Sequence, residues 1–461
     1  MAEEQHVAVV DVGKTNAKVT LVRATDAAEL ARRSAANRVL TDGPYPHFDV
    51  ALLWDFMCDA LADLRREAPI DAISVTAHGS AGAFIGGDAE SGGLALPMLD
   101  YEFAGPDELA ADYDAVRPDF SETLSPRLPG GLNLGAQIFW QERRFPDAVR
   151  KALTYVTYPQ YWAWRLSGVA ATEMCSLGAH SDLWDPRRLR SSSLVERMGW
   201  ERMFAPLRSC FDVLGGVRPV LAARLGLKPE TAVLCGIHDS SASLIPHLTE
   251  RSPPFTVVST GTWTIVFAVG GSLDRLDPRR DTLANVTAFG DPVPCARFMG
   301  GREFEHLAGR NPTEPGAAEV ERVINDRIMA LPTFVSGVGP FAGSKGRWTQ
   351  SPETLQPGER TAAASLYLAL MAAESMACAD AGGPTIVEGP FAANRVFCAA
   401  LAAVTGRAVL PSAATGGTSQ GAASLLDPEH KLATAETQPV APLALDGFAG
   451  YAGAWREQAG G

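Results

Sequence analysis

Two segments of this chain, about 250 residues apart, carry the same pattern. The first is HVAVVDV, a GKTN turn and AKVTLVRA, centred on residues 7–22; the second is PFTVVSTGTWTIVFAVG, centred on 255–268. In each, two mainly apolar arms flank a turn of glycine and small polar residues, which reads as a β-hairpin. Two halves that each begin this way imply duplicated α/β domains facing one another across a cleft. A chain of 461 residues is too long for a single core, which agrees with two or three domains. The RSPP stretch at 251–254 interrupts the pattern. It divides the chain into a first domain at 1–247, a second at 248–435, and a Pro-, Ala- and Gly-rich tail at 436–461 that is expected to be partly irregular.

The segments between the hairpins are consistent with this plan. A helical pattern covers 48–68, followed by the buried strand AISVTAH and by SAGAFIGGDAESGGLAL, whose Gly and Asp residues suggest another hairpin. Residues 106–166 read as mostly helical, broken by the PGGLNLG loop at 129–135. AVLCGIHDSSASLIPHL reads as strand, glycine turn and helix. In the second half a helix is expected at 359–380, then strand, glycine loop, helix and strand across PTIVEGPFAANRVFCAALAAVTGRAVL. A last helix is opened by Gly416 and Gly417.

Composition narrows the function. A net charge of −13 argues against nucleic acid as a partner, since such proteins present a basic face. The same charge repels anionic ligands, so any phosphate must be held by local N–H groups, a few cations and a divalent metal. The start lacks a basic leader, and no run of 18 apolar residues occurs, so neither a signal peptide nor a membrane partner is expected. Seven scattered cysteines without CxxC spacing fit reduced, buried thiols and a cytoplasmic location.

Three places carry chemistry. In the first turn, Gly13 lets the backbone approach a phosphate, Thr15 and Asn16 add donors, and Lys14 and Lys18 add charge. Asp11, ending the preceding strand, is suited to holding Mg²⁺ through water. The turn at Ser259–Thr262 has the same kit without the carboxylate. A plain hairpin explains either turn alone; the pair suggests a grip on phosphates. Asp239 follows a strand and Gly236 and opens a helix. It reads either as a helix-capping residue or as a base that accepts a proton from an attacking hydroxyl, and one carboxylate can do both. Its neighbour His238 reads as structural or as a sugar contact.

Taken in order, these motifs resemble the FGGY family of carbohydrate kinases, within the sugar kinase, Hsp70 and actin superfamily. VAVVDVGKTNAKVTLV is similar to the family's first phosphate motif, and CGIHDSSASLIPHL to its G-x-x-D-x-x-x-A segment. VVSTGTWTIV is similar to its second phosphate motif, and IVEGPFAANRVFCAALAAVTGRAVL with GGTSQGAASLL to its adenosine region. The resemblance covers roughly residues 6–426 and includes YPQYWAWRLSGVAATEMCSLGAHSDLWD at 158–185.

This resemblance implies two ribonuclease H-like α/β domains of the actin-like ATPase type, with ATP and Mg²⁺ as cofactors. It makes Asp239 the catalytic base and Asp11 the metal-orienting carboxylate. It assigns Lys14, Thr15, Asn16, Lys18, Gly261 and Thr262 to the ATP phosphates, and Gly389 and Asn394 to the adenosine. VTAHGSAGAF and PMLDYE align with sugar-binding segments, giving His78, Gly79, Asp100 and Tyr101 as substrate contacts beside Asp239; NLGAQ adds Gln137. The sequence departs from the family in having Lys14 where a small residue is commoner and Glu388 where a second glycine is usual. The expected reaction is ATP-dependent phosphorylation of a small sugar, a ketose or deoxyketose of the fuculose, rhamnulose or xylulose type, by a chain that family habit allows to be a homodimer. An ATP or polyphosphate hydrolase and a non-catalytic sugar sensor are the alternatives.

Overall fold

A computed structural model describes residues 4–412, 417–427 and 438–460. The chain divides into two compact units. The first is built from Met1–Glu250, Ala284–Pro292 and Gly416–Thr434, and the second from Arg251–Leu283, Val293–Thr415 and Ala435–Gly461. Each unit is therefore assembled from segments far apart in sequence.

The first unit is built on a twisted sheet. Its centre is the strand His6–Val12, which pairs antiparallel with Asn16–Arg23, and that strand pairs antiparallel with Glu29–Ala36. On the other side His6–Val12 runs parallel to Ala72–Ala77, which is followed by Ala232–Leu234 and the edge strand Val213–Gly216. A two-residue strand, Ile237–His238, also pairs parallel with Ala72–Ala77. The first five residues of His6–Val12 and all of Ala72–Ala77 are buried, as expected for parallel strands covered on both faces. The covering helices are Val50–Leu64, capped by Asp49 accepting from the Leu52 N–H at 3.0 Å, and Tyr158–Ser167, closed by Gly168 at φ 82°.

The second unit repeats this topology. Phe255–Thr260 pairs antiparallel with Thr264–Val269, which pairs antiparallel with Pro292–Phe298, while Thr385–Glu388 and Val409–Pro411 extend the sheet in parallel from the other side. Thr282–Val286 adds an outer strand. In both units, three antiparallel strands therefore continue into two parallel ones, so the duplication inferred from the two hairpins extends to whole sheets. The helix Pro357–Cys378 is long and apolar enough to cross a membrane, but 89% of its apolar window is buried, which makes it the core helix of this unit.

Two expectations change. Gly82–Ile85 does not fold back on residues 94–96, which it meets only at the Ile85–Leu94 bridge; it pairs with Thr154–Thr157. Gly92 and Gly93 lie between them at φ 88° and 50°, conformations that leave the extended region and end the returning arm. The tail is also more ordered than its composition suggests. Phe448–Ala459 is a helix whose Phe448, Tyr451, Ala452, Trp455 and Ala459 form one buried stripe at helical spacing. Trp455 Nε1 donates to the Ala330 carbonyl at 2.7 Å, and the Tyr451 hydroxyl donates to that of Ile328 at 3.0 Å. Gly416 lies outside the described residues; Gly417 does open a helix, Gly417–Ser424.

Trp455 is fully buried, so Trp455→Ala should cost about 3–5 kcal/mol in the second unit's unfolding transition. Urea unfolding followed by circular dichroism checks this. An unchanged curve would mean that the helix is dispensable.

Candidate functional site

The sheet of the first unit brings its chemistry to one edge. In the parallel register Asp11 lies beside Thr76, and Ile237 and His238 lie beside Thr76 and Ala77. Asp11, His78 and Asp239 therefore all emerge at the carboxyl ends of adjacent parallel strands, where open α/β sheets bind their ligands.

The first turn is stapled from below. The Gly13 N–H donates to the Asn16 carbonyl at 2.9 Å, and Asn37 Nδ2 donates to the Gly13 carbonyl at 2.8 Å. This leaves the Thr15 and Asn16 side chains exposed at the tip, where a phosphate can reach them. Lys18, 44% exposed, sits 3.8 Å from Asp11 Oδ2. Burial pushes Asp11 up from 3.8 to about 6; Lys18 pulls it down, and the nearby Asp239 charge pushes it further up.

Asp239 begins the helix Asp239–Glu250, and its Oδ1 accepts from the adjacent Ser240 N–H at 2.6 Å rather than from a donor one turn on, so it is not an ordinary helix cap. Burial raises its pKa, and the Ser240 hydrogen bonds offset only part of that shift. His238 Nε2 lies 3.2 Å from the same oxygen. That contact is not an ion pair, because burial holds the imidazole down at about 4 and therefore neutral. Ser241 Oγ donates to the Val286 carbonyl at 2.8 Å, so its oxygen is left to accept from His238 Nδ1 at 3.4 Å. The hydrogen-bond network thus assigns the proton to Nδ1 and turns a bare Nε2 toward Asp239, which further favours a proton held on the carboxylate. Asp239 keeps 31% of its side chain accessible, enough to meet a ligand hydroxyl.

Next to it, His78 stands among aromatic rings, with centroids 4.8 Å from Tyr158, 5.1 Å from Tyr101 and 5.5 Å from Phe48. Neither of its ring nitrogens has a partner among the described residues, and burial lowers its pKa to about 3. Gly79 has no room for a side chain, since a Cβ would lie 2.6 Å from Ala179 Cβ and 3.1 Å from His238 Nε2. Lys14 does not reach out from the phosphate turn. Its ammonium binds Asp100, lies 3.4 Å from Glu102, and sits over the Tyr101 and Phe48 rings at 4.8 and 5.2 Å. Gln137 is fully buried; it donates to the Ser80 carbonyl at 2.8 Å and to that of Gly131, and so holds the pocket's backbone in place. Sequence reasoning did not single out Phe48, Tyr158 or Glu102. The first two are aromatic residues at core-like positions, and nothing local separates a core ring from a ligand-facing one.

In the second unit a cavity of about 1020 Å³ opens beside the turn at 261–262. Gly261, Thr262 and Asn394 line it, together with Gly301, Phe304 and Phe391. Asn394 also caps the helix Arg395–Thr405 by accepting from the Phe397 N–H at 3.0 Å, and it donates to Ser365 Oγ at 2.9 Å. Gly389 is not in the lining. At φ 78° it packs on the Thr260 carbonyl, which a Cβ would approach to 1.9 Å, and this contact locks the loop to the end of the strand.

A duplicated α/β topology, with carboxylates at the strand ends of one copy and a cavity of about 1020 Å³ in the other, is that of the actin-like ATPase fold. Comparison with known proteins gives the family. The model for "Carbohydrate kinase FGGY, C-terminal domain" matches residues 252–435. A carbohydrate kinase from Novosphingobium aromaticivorans is 36% identical with a TM-score of 0.89, the alignment covering 98% of this chain and all of that one. A xylulose kinase from Rhodospirillum rubrum shares the fold at 21% identity and a TM-score of 0.76, over 98% of this chain and 97% of that one. The L-fuculokinase of Haemophilus influenzae is 28% identical over 138 residues, 29% of this chain and 28% of that protein's length. The chain belongs to the FGGY carbohydrate kinase family and is an enzyme of the phosphotransferase class.

The raised Asp11 makes a testable point about stability. Its proton is held more tightly in the folded than in the unfolded chain, so stability falls as pH rises from about 3.8 through about 6. Asp11→Asn should therefore stabilise the ligand-free protein by up to about 3 kcal/mol at pH 8 and by nothing at pH 3.5. Chemical denaturation at the two pH values decides this; equal effects would mean that Asp11 carries an ordinary carboxylate.

Proposed function

We propose that this enzyme transfers the γ-phosphoryl group of ATP to a hydroxyl of a ketose or deoxyketose, of the fuculose, rhamnulose or xylulose type. The observation that carries this reading is His78: a half-buried imidazole whose two ring nitrogens are both buried without a partner among the described residues, set among the rings of Tyr101, Tyr158 and Phe48. An unsatisfied polar group of this kind costs about 1–3 kcal/mol unless a ligand supplies its hydrogen bonds. Aromatic faces with a few polar groups among them suit the C–H faces and hydroxyls of a sugar. The relatives named for L-fuculose and xylulose support a ketose.

In this reading the first unit holds the acceptor and the second the nucleotide. Asp239 takes the proton of the attacking hydroxyl, a transfer its raised pKa favours, and once protonated it donates to the bare His238 Nε2. Within the first unit, Thr15, Asn16 and Lys18 offer hydroxyl, amide and ammonium donors to phosphate oxygens; within the second, the turn at Gly261 and Thr262 offers N–H and hydroxyl donors at the cavity wall. Asp11 fits a hydrated divalent cation, because a cation would compensate both the burial that chiefly raises its pKa and the smaller like-charge effect of Asp239. Bound there, Mg²⁺ would neutralise phosphate charge. Lys14 belongs with the acceptor pocket, where it fixes Asp100 and Tyr101; this replaces the phosphate role read from its sequence position.

ADP release from the purified protein with MgATP, measured across ketoses, aldoses and polyols, tests the reading. Release confined to one or two related ketoses is expected; release indifferent to every sugar would overturn the assignment in favour of a hydrolase. Asp239→Asn should lower turnover by about 10²–10⁴-fold while both ligands still bind by calorimetry. Lys14→Met should raise KM for the sugar about tenfold, the worth of one charge-assisted contact, and leave KM for ATP near wild type. The opposite pattern would return Lys14 to the phosphates.

A further inference from the structure

Arg165, on the helix Tyr158–Ser167, is 5% exposed and has no carboxylate partner among the described residues. Its guanidinium lies over the Trp54 ring at 4.0 Å and makes only two long contacts, Nη1 to the Tyr161 hydroxyl at 3.4 Å and Nη2 to the Glu90 carbonyl at 3.5 Å. Its Nε is buried without a partner. The Glu90 carboxylate is taken by Arg218, which also donates to the Arg165 carbonyl at 2.9 Å, and Asp147, which lines the cavity beside Arg165, is paired with Arg150 at 2.6 Å. The other arginines at similar depth are matched: Arg117 binds Asp182 at 2.9 Å, and Arg297 binds Asp281 at 2.8 Å. An arginine cannot shed its proton, so Arg165 is a buried charge without a counterion, a state that costs several kcal/mol unless something compensates it.

Beside it lies a cavity of about 740 Å³, within the range of small-molecule sites. The glycine-rich loop 86–93 forms one wall, and Lys151, exposed and outside any ion pair, stands at its margin. The loop packs closely here and has no room for side chains: a Cβ on Gly92 would lie 2.8 Å from Arg165 Nη1, and one on Gly93 would lie 2.7 Å from the Trp164 ring. Neither Arg165, Lys151 nor this loop has a part in the phosphotransfer chemistry proposed above.

We propose that this cavity is a second binding site, for a small metabolite bearing an oxyanion, with Arg165 as its buried anchor and Lys151 as a second cation. Carboxylates and phosphate monoesters share the required chemistry, two oxygens able to meet a guanidinium fork. On a chain of net charge −13 such a ligand is drawn in by this local excess of positive charge and not by the overall field.

The test is to titrate the full-length protein with inorganic phosphate and, separately, with malonate, following binding by calorimetry. We expect saturable binding of at least one probe, weakened fivefold or more in both Arg165→Lys, which keeps the charge and loses the fork, and Lys151→Glu, which changes an exposed residue and should fold normally. Saturation by phosphate alone assigns the site to phosphate esters, and saturation by malonate alone assigns it to carboxylates. If neither probe saturates, or if Lys151→Glu and a folded Arg165→Lys both titrate like the wild type, the site does not exist.

Discussion

The parallel pairing of Ala72–Ala77 with His6–Val12 on one side and Ile237–His238 on the other is the constraint on which the first unit's chemistry rests. Ladder hydrogen bonds place strand ends with a precision that loops lack, and three strand ends in register put Asp11, His78 and Asp239 side by side. The arrangement stores unfavourable electrostatics. Two carboxylates share a partly buried edge with one half-exposed lysine, and one of the carboxylates faces the bare nitrogen of a neutral imidazole. A ligand-free fold gains nothing from this, whereas a protein that must take a proton and face phosphates does.

The hairpins were legible because alternating apolar arms and a glycine turn are local signals, and both halves carried them. Asp11 and Asp239 were legible through their position at the ends of such elements and through the order of the motifs. What could not be read was pairing over long separations. Gly82–Ile85 takes Thr154–Thr157 as its partner, a choice made by tertiary packing, although a nearer glycine-rich segment offered a plausible return arm. The tail was misread because Ala and Gly dilute its pattern; only the spacing of Phe448, Tyr451 and Trp455 reveals the buried stripe.

Lys14 shows why motif position and side-chain role come apart. Its backbone is where a phosphate-binding turn requires it, but a four-carbon stem lets the ammonium travel to the nearest uncompensated carboxylates, Asp100 and Glu102, across two aromatic faces. Motif order locates Lys14 on a turn without determining which way its side chain leaves. Gly389 is the converse case. Expected as an adenosine contact, it lies outside the lining of the cavity beside the turn at 261–262, and its contact with the Thr260 carbonyl leaves no space for any other residue.

The helix Gly417–Ser424 packs on Asp239–Glu250 so closely that a Cβ on Gly421 would lie 1.8 Å from the Ala242 carbonyl. During synthesis the helix that begins at Asp239 is thus made long before the helix that braces it. The second unit's core likewise awaits Trp455. Neither unit can close its core until segments beyond residue 416 have emerged, so a prematurely terminated chain exposes apolar surface in both halves and is marked for proteolysis rather than left as a partly active enzyme.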